Sequence, residues 1–236
     1  MVPIDPERLP EGDEKRAAVQ SMFDTIAPRY DLVNRVMTFR MDVGWRRRTV
    51  RTLGLERGAR VADLACGTGD LCRELVVQGL RPLGFDLSFG MLASARTGAP
   101  LAQADVLRLP VPDGSLDGVT CGFALRNLVD LEAFFVELAR TVRPGGRIAL
   151  LEVAEPPNPV LRFGHSVYFG RVVPLVGGLL SDQSAYRYLP RSVAYLPPPD
   201  VMLRQLAGAG FGDVDRQLLS TGIAQLVTAT RAPQGS

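Results

Sequence analysis

Two hydrophobic periods alternate along most of the chain. Runs of small or branched apolar residues, as expected of strands covered on both faces, begin at Arg60 with R-V-A-D-L-A-C. They recur at Arg81–Leu87, Pro100–Val106, Leu116–Leu125 and Arg147–Val153. Between them, apolar residues three and four apart mark helices over Asp70–Gly79, Ser88–Thr97 and Asp130–Val142. The last helix carries Leu131, Phe134, Phe135 and Leu138 on one face, and Pro144-Gly145-Gly146 is expected to end it. Strands and helices alternating at these lengths predict a parallel sheet with helices on both sides.

Two regions depart from this rhythm. From Glu14 to about Leu53 the pattern is helical, with Val19, Met22, Phe23 and Ile26 in one stretch, a break at Pro28, then Leu32, Val33, Val36 and Met37. Residues 155–199 are proline-rich, apolar and aromatic and read as an inserted lid. The core resumes with a helix over Asp200–Ala209 and strands over Asp213–Leu219 and Ile223–Arg231. Only Ser220-Thr221-Gly222 joins these two strands, so they must be antiparallel, because a parallel crossover needs about a dozen residues or more. The expectation is one domain over residues 1–236: a helical cap (14–53), a cofactor-binding core (60–154), the lid (155–199), and a C-terminal helix and hairpin (200–232).

The turn after the first strand carries the most chemistry. In D-L-A-C-G-T-G-D, Gly67 and Gly69 supply backbone freedom where a ligand must come close, and Asp70 stands where a helix N-cap belongs. A dinucleotide fingerprint needs G-x-G-x-x-G, and here Asp70, Leu71 and Cys72 follow Gly69 with no third glycine. A P-loop is excluded because no G-K-[ST] follows. Asp86 ends the second strand, where an acid can hold an adenosine ribose in the crevice at the carboxyl ends of a parallel sheet. The lesser reading is a cap for the helix that follows, and one side chain can do both. Asp105 ends the third strand. G-T-G after the first strand and an antiparallel terminal strand together distinguish an α/β class I S-adenosylmethionine-dependent methyltransferase (Rossmann-like) fold, with a seven-stranded, mostly parallel sheet, from a dehydrogenase fold.

Composition narrows the partners. The chain is 46% hydrophobic with a formal charge of +2, enough apolar residue for one full core and too little charge to imply nucleic acid. Cys66, Cys72 and Cys121 are odd in number and form no C-x-x-C pair, which suits a reducing cytoplasm. With a single histidine beside them, no metal site is expected. The first residues lack the basic start and apolar core of a signal peptide, giving a cytoplasmic expectation. Trp45 followed by Arg46, Arg47, Arg48 and Arg51 makes a basic helix with two readings, a solvated face anchored by the tryptophan or a surface that meets an acidic partner or, peripherally at the membrane's inner face, anionic lipid. Nothing in the pattern marks an oligomer.

Three longer stretches resemble a family, the UbiE/MenG C-methyltransferases of menaquinone and ubiquinone biosynthesis. They are M-F-D-T-I-A-P-R-Y-D-L-V-N-R at Met22–Arg35, the block at Ala124–Glu152 beginning A-L-R-N-L-V-D, and S-A-Y-R-Y-L-P-R-S-V-A-Y-L-P at Ser184–Pro197. Where members commonly read S-x-G-x-H-R-x-W, this chain has Thr38–Trp45 without that glycine, histidine or first arginine. Where they often carry a serine in the fourth strand, it has Gly122.

The resemblance implies S-adenosyl-L-methionine as cofactor and a demethylated, prenylated menaquinol as acceptor, methylated on its ring. Another small phenolic or quinone-like acceptor, including a ubiquinone precursor, stays open because fold does not fix substrate. Nucleic-acid amine methylation is disfavoured, since Leu125-Arg126-Asn127 stands where such enzymes carry an N-P-P-Y-like loop. A non-catalytic quinone-binding protein is disfavoured by the intact G-T-G, Asp86 and Asp105. The expected cofactor-binding set is Asp63, Gly67, Thr68, Gly69, Asp86, Asp105, Val106 and Gly122. Arg126 is the candidate stabiliser of a phenolate with Asn127 as its hydrogen-bonding partner, against the alternative that Arg126 only pairs with a strand-end acid. Tyr30, Tyr186 and Tyr188 are candidates for the ring pocket. His165 is a base by chemistry but lies outside the three stretches.

Overall fold

The computed structural model describes residues 11–173, 175, 185, 188 and 191–233. Helices α1 (Gly12–Ile26), α2 (Tyr30–Met37) and α3 (Met41–Thr52) precede the sheet. Then come β1 (Arg60–Leu64), α4 (Asp70–Val77), β2 (Arg81–Asp86), α5 (Phe89–Ala93), β3 (Leu101–Gln103), β4 (Leu116–Gly122), α6 (Leu131–Thr141) and β5 (Val142–Val153). After β5 follow α7 (Pro159–Val167), α8 (Pro199–Gly208), β6 (Phe211–Leu219) and β7 (Ala224–Arg231). The seven strands lie in the order β3-β2-β1-β4-β5-β7-β6. β1 to β5 are parallel, and β7 runs antiparallel to both β5 and β6.

The two-sided burial behind the strand pattern is visible residue by residue. In β1, Ala62 and Leu64 face one cluster, with Val119, Phe134, Phe135, Leu138, Ile148 and Leu150. Val61 faces the other, with Leu71, Leu75, Ala149, Leu151 and Leu226. Each strand divides its apolar residues between two faces because side chains alternate with period two. A third cluster joins the N-terminal helices to the insert through Met22, Ile26, Val33, Val173, Ala185 and Tyr188. Across it, the Tyr168 hydroxyl donates to the Met37 carbonyl at 2.7 Å.

Several boundaries differ from the sequence expectation. The helix expected over Ser88–Thr97 is the single short α5, opened by Ser88, whose hydroxyl accepts from the Met91 N–H. The third strand shrinks to Leu101–Gln103 at the sheet edge, where it pairs only with β2. Helix α6 ends at Thr141, before Pro144-Gly145-Gly146, because Val142 already pairs with Leu116 across an irregularity in the ladder. Helix α7 is capped by Asn158, which accepts from the N–H groups of Val160 and Leu161, and buries none of its residues.

Candidate active site

Strand β1 enters a loop in which Ala65, Gly67 and Gly69 all have positive φ (50°, 55° and 82°). Asp70 was expected as the helix cap. Gly69, in the left-handed region, occupies that position, and Asp70 is the first helical residue, where its charge still favours the helix N-terminus. A Cβ on Gly69 would lie 2.6 Å from Thr97 Cγ2, whereas one on Gly67 would meet nothing within 4 Å. Gly69 is therefore needed by the fold itself, while Gly67 leaves the wall clear for a ligand.

Gly67, Asp86, Asp105, Val106, Gly122 and Asn127 line one cavity over the carboxyl ends of β1 to β4. The Asp86 carboxylate accepts from the Gly67 N–H (2.7 Å) and the Ser88 N–H (2.8 Å). It therefore braces the glycine loop and the start of α5 together, and each oxygen keeps a lone pair for a hydroxyl. Burial pushes its carboxyl up from the usual range, against those backbone hydrogen bonds. A Cβ on Gly122 would lie 3.0 Å from Leu71 Cδ1, so the wall there is backbone, packed where relatives of the resembled family often carry serine.

Helix α1, part of the expected helical cap, lies across this cavity, and its polar contacts with the cofactor loops were not anticipated from the sequence. Arg16 pairs with Asp105 at 2.7 Å, Gln20 Nε2 donates to the Leu87 carbonyl at 3.1 Å, and Asp24 accepts from Ser88 Oγ (2.6 Å) and Gly90 N–H (2.8 Å). Lys15 Nζ donates to the Leu128 carbonyl at 2.7 Å and sits over the Tyr195 ring. The polar spacing Arg16, Gln20, Asp24 is one helix face, and that was the available signal.

Beneath the glycine loop lies a small recess lined by Tyr30, Arg46, Asp63, Thr68 and Gly122. Asp63 is fully buried and accepts from Thr120 Oγ1 at 2.9 Å and Cys72 Sγ at 3.3 Å. Burial pushes its carboxyl up to about 7 despite those hydrogen bonds. Thr68 belongs to this recess, and its hydroxyl donates to Asp31 Oδ1 at 2.5 Å, fastening α2 to the loop.

The basic helix divides between the interior and the surface, with Arg47 and Arg48 exposed. Arg46 is buried, paired with Asp42 and with Asp70 (3.2 Å). Arg47 faces Glu74 at 3.7 Å, Arg48 donates to Gln217 at 2.8 Å, and the Trp45 indole donates to Ser220 at 2.8 Å. Arg51 is exposed and makes no such contact among the described residues. The helix ties cap to core, because Arg46, Arg47 and Arg48 each meet an acceptor brought by the fold.

A second, larger cavity of about 410 Å³ lies between the N-terminal helices and the insert. Tyr30 and Phe123 line both this cavity and the first, so they form the wall between them. Arg126 faces the larger cavity, whereas Asn127 faces the first. The two residues expected to act as one pair thus stand on either side of the wall, as a tight turn after β4 dictates.

Arg126 also makes the structural contacts posed as its alternative role. Its Nη1 donates to Glu152 Oε1 and to the Phe123 carbonyl (3.0 Å), and its Nε donates to Ser192 Oγ at 3.2 Å. Glu152 is also buried and accepts from the Arg126 and Val153 N–H groups. This clamp leaves Nη2 as the terminal nitrogen that makes no hydrogen bond among the described residues. Tyr188, expected in the ring pocket, is instead buried behind Asn127 and donates to its Oδ1 at 3.4 Å. Tyr186 lies outside the described residues. His165 lines the larger cavity with its ring 4.5 Å from that of Phe169.

Strand order, the glycine loop and acids at successive strand ends define a class I S-adenosylmethionine-dependent methyltransferase. A phosphoethanolamine N-methyltransferase 2 from Haemonchus contortus, solved with S-adenosyl-L-methionine, shares this fold, with a TM-score of 0.57 at 15% identity over 78% of this chain and 51% of that one. Residues 11–231 match the model of the ubiE/COQ5 methyltransferase family, and the chain belongs to that family. It is 44% identical to a demethylmenaquinone methyltransferase of Thermus thermophilus over 89% of this chain and all of that protein. It is 41% identical to one of Roseiflexus castenholzii, over 94% of this chain and 97% of that protein.

The loop fits the cofactor of that class. Gly67 leaves open space beside it, Asp86 keeps acceptor capacity, and Asp63 lies below as a buried acid. Asp86→Ala should weaken S-adenosylmethionine binding about 10- to 150-fold, the worth of roughly 1.5 to 3 kcal/mol for hydrogen bonds to a charged acceptor, and also lower the melting temperature, because the Gly67 and Ser88 N–H groups lose their acceptor. Titration calorimetry on the variant checks this, and unchanged affinity would remove Asp86 from the ribose role.

Proposed function

We propose that the chain methylates a ring carbon of demethylmenaquinol, producing menaquinol. The observation that carries this reading is the apolar cavity of about 410 Å³ that shares Tyr30 and Phe123 with the cofactor cavity. Its size falls within the ~300 to 1,000 Å³ of small-molecule sites, and the names of the relatives supply the acceptor.

The bound cofactor supplies an electrophilic methyl group, leaving the protein to position the acceptor and make its ring carbon nucleophilic. A phenolic hydroxyl ionises near pH ~10 in water, so at neutral pH the site must favour the anion. Arg126, held in one orientation by Glu152, Ser192 and the Phe123 carbonyl, lines the cavity. There it stabilises the developing phenolate. Loss of the phenolic proton raises electron density on the adjacent unsubstituted carbon. With the cofactor bound, that carbon would take up the methyl group it supplies, the thioether form of the cofactor being the leaving group, and loss of the carbon's own hydrogen as a proton to solvent would restore the aromatic ring. Asn127, supported by Tyr188, acts from the cofactor side of the wall.

The direct test is a methyl-transfer assay with S-adenosylmethionine and chemically reduced, short-tailed demethylmenaquinone, read by mass spectrometry. Ring methylation of the quinol, with no transfer to the unreduced quinone, is expected. A panel including other phenols and a ubiquinone precursor reads out the alternative acceptors, and transfer to one of these but not to the quinol would overturn the assignment.

The mouth of the same cavity suits a membrane-borne substrate. Phe39 and Val160, which line it, are 73% and 78% exposed, Phe163 on the same helix as Val160 is 73% exposed, and Arg40 next to Phe39 in the chain is also exposed. Apolar groups of this kind beside a cation dock reversibly on anionic bilayers. No helix among the described residues is long and apolar enough to cross a membrane. The wild-type protein should float with anionic liposomes at low salt, and Phe39→Asp with Phe163→Asp should abolish flotation. Failure of the wild type to float would remove the docking face while leaving the pocket assignment standing.

A further inference from the structure

A buried polar atom without a partner is rare and calls for an explanation. Among the described residues, three side chains carry one: Arg147 Nε, His165 Nε2 and Gln205 Oε1. Of these residues His165 lines the large cavity that it shares with Arg126. Its ring is fixed against Phe169, and the surrounding wall is built from apolar groups such as Val160, Leu161 and Val173. A hydrogen-bonding nitrogen is thus held, unspent, in an apolar chamber.

We propose that His165 Nε2 hydrogen-bonds the acceptor's second hydroxyl, the one remote from the methylated carbon, and so selects for a 1,4-diol. This rests on the quinol reading above. The two oxygens of such a diol lie at opposite ends of one ring. A site that grips one through Arg126 on the β4 turn needs a second polar contact elsewhere on the cavity wall to set the ring's rotation. Helix α7 brings His165, its only polar aromatic side chain, to the lining of that same cavity. Burial also pushes the imidazole below its usual range, opposed by nearby Glu155. The ring is therefore neutral at pH 7 and offers one donor and one acceptor. An uncharged partner suits this end of the ring, since a cation at both oxygens would favour a doubly ionised diol that the reaction does not need.

The test pairs a change in the protein with a change in the substrate. One acceptor is a 1,4-dihydroxynaphthalene with a short prenyl tail. The other is the matching 1-naphthol, prenylated at C3, which keeps the hydroxyl beside the reacting carbon and lacks the remote one. The wild type should prefer the diol by about tenfold in kcat/KM, the size of one hydrogen bond. His165→Phe, which keeps the ring stacking, should lose that preference through KM on the diol, with S-adenosylmethionine affinity unchanged. His165→Gln, which restores an amide donor and acceptor, should recover most of it. His165→Leu repeats the measurement if the phenylalanine variant melts low. An active His165→Phe enzyme that keeps the wild-type preference, or one whose KM rises equally for both compounds, overturns the inference and leaves the quinol assignment intact. A wild type that methylates neither compound overturns both.

Discussion

Arg126→Lys should lower turnover by about 100- to 1000-fold, the usual cost of losing a preorganised donor to a developing oxyanion, while S-adenosylmethionine affinity stays within a few-fold of wild type. Lysine keeps the charge but not the planar fork. It cannot hold Glu152, Ser192 and the Phe123 carbonyl and still stabilise an anion in the cavity. The melting temperature should fall as well, because Arg126 and Glu152 are both buried, and removing a partner outright from such a pair costs ~3 to 5 kcal/mol. Stability therefore does not separate a catalytic arginine from a structural one, and turnover must.

Glu152→Gln provides the control. It weakens the same clamp and should lower the melting temperature too, yet it leaves the guanidinium beside the cavity, so turnover at saturating substrates should fall far less. Equal turnover in the two variants, both merely less stable, would make Arg126 scaffold. In the wild type, turnover should rise with pH as the quinol ionises. That rise should move to higher pH in Arg126→Lys, because an anion with less stabilisation has a higher pKa.

The architecture was legible because parallel strands buried on both faces leave an unmistakable local signature. Ala62 and Leu64 pack to one side of β1 and Val61 to the other, so the run at Arg60 could hardly be a half-exposed strand. The antiparallel close followed from Ser220-Thr221-Gly222 being too short for any other connection. Long-range polar pairs have no such signature. Arg46 sits in a run of arginines that reads as solvated, and its partner Asp70 is twenty-four residues away. Asp31 with Thr68 and Arg16 with Asp105 join elements whose proximity only the fold creates. Asn127 and Arg126 are adjacent in sequence, but the turn after β4 sends them to different cavities, a separation that adjacency hides.

Asp63→Asn should stabilise the protein without cofactor above pH 7 and, in the same protein, weaken S-adenosylmethionine. Asp63 is fully buried with a carboxyl pushed up to about 7. Unfolded, it ionises near ~3.9. Between those values the folded state holds a proton that the unfolded state has lost, so this group's contribution to stability is greatest below pH ~4, falls as pH rises to about 7 and is flat beyond. At pH 8 the buried carboxylate costs on the order of 4 kcal/mol as an upper figure, which asparagine avoids while still meeting Thr120 and Cys72. A residue that weakens its own fold has a reason to remain if its charge is used. The recess holding Asp63 opens beside Gly67 and Thr68, where an ionised acid attracts the cationic cofactor. Wild-type affinity should then rise with pH up to about 7 and level off, since a cation favours the ionised form. Binding near pH 6.5 should release up to about one proton, as linkage between charge and ligand requires. Calorimetry in buffers of different ionisation enthalpy measures that release, and thermal melts from pH 5 to 9 measure the stability profile. In Asp63→Asn both pH dependences should flatten, with affinity about 10- to 150-fold weaker at pH 8. A variant that is more stable but binds the cofactor as tightly as wild type, with the same proton release, would leave Asp63 as a buried acid with no part in cofactor binding.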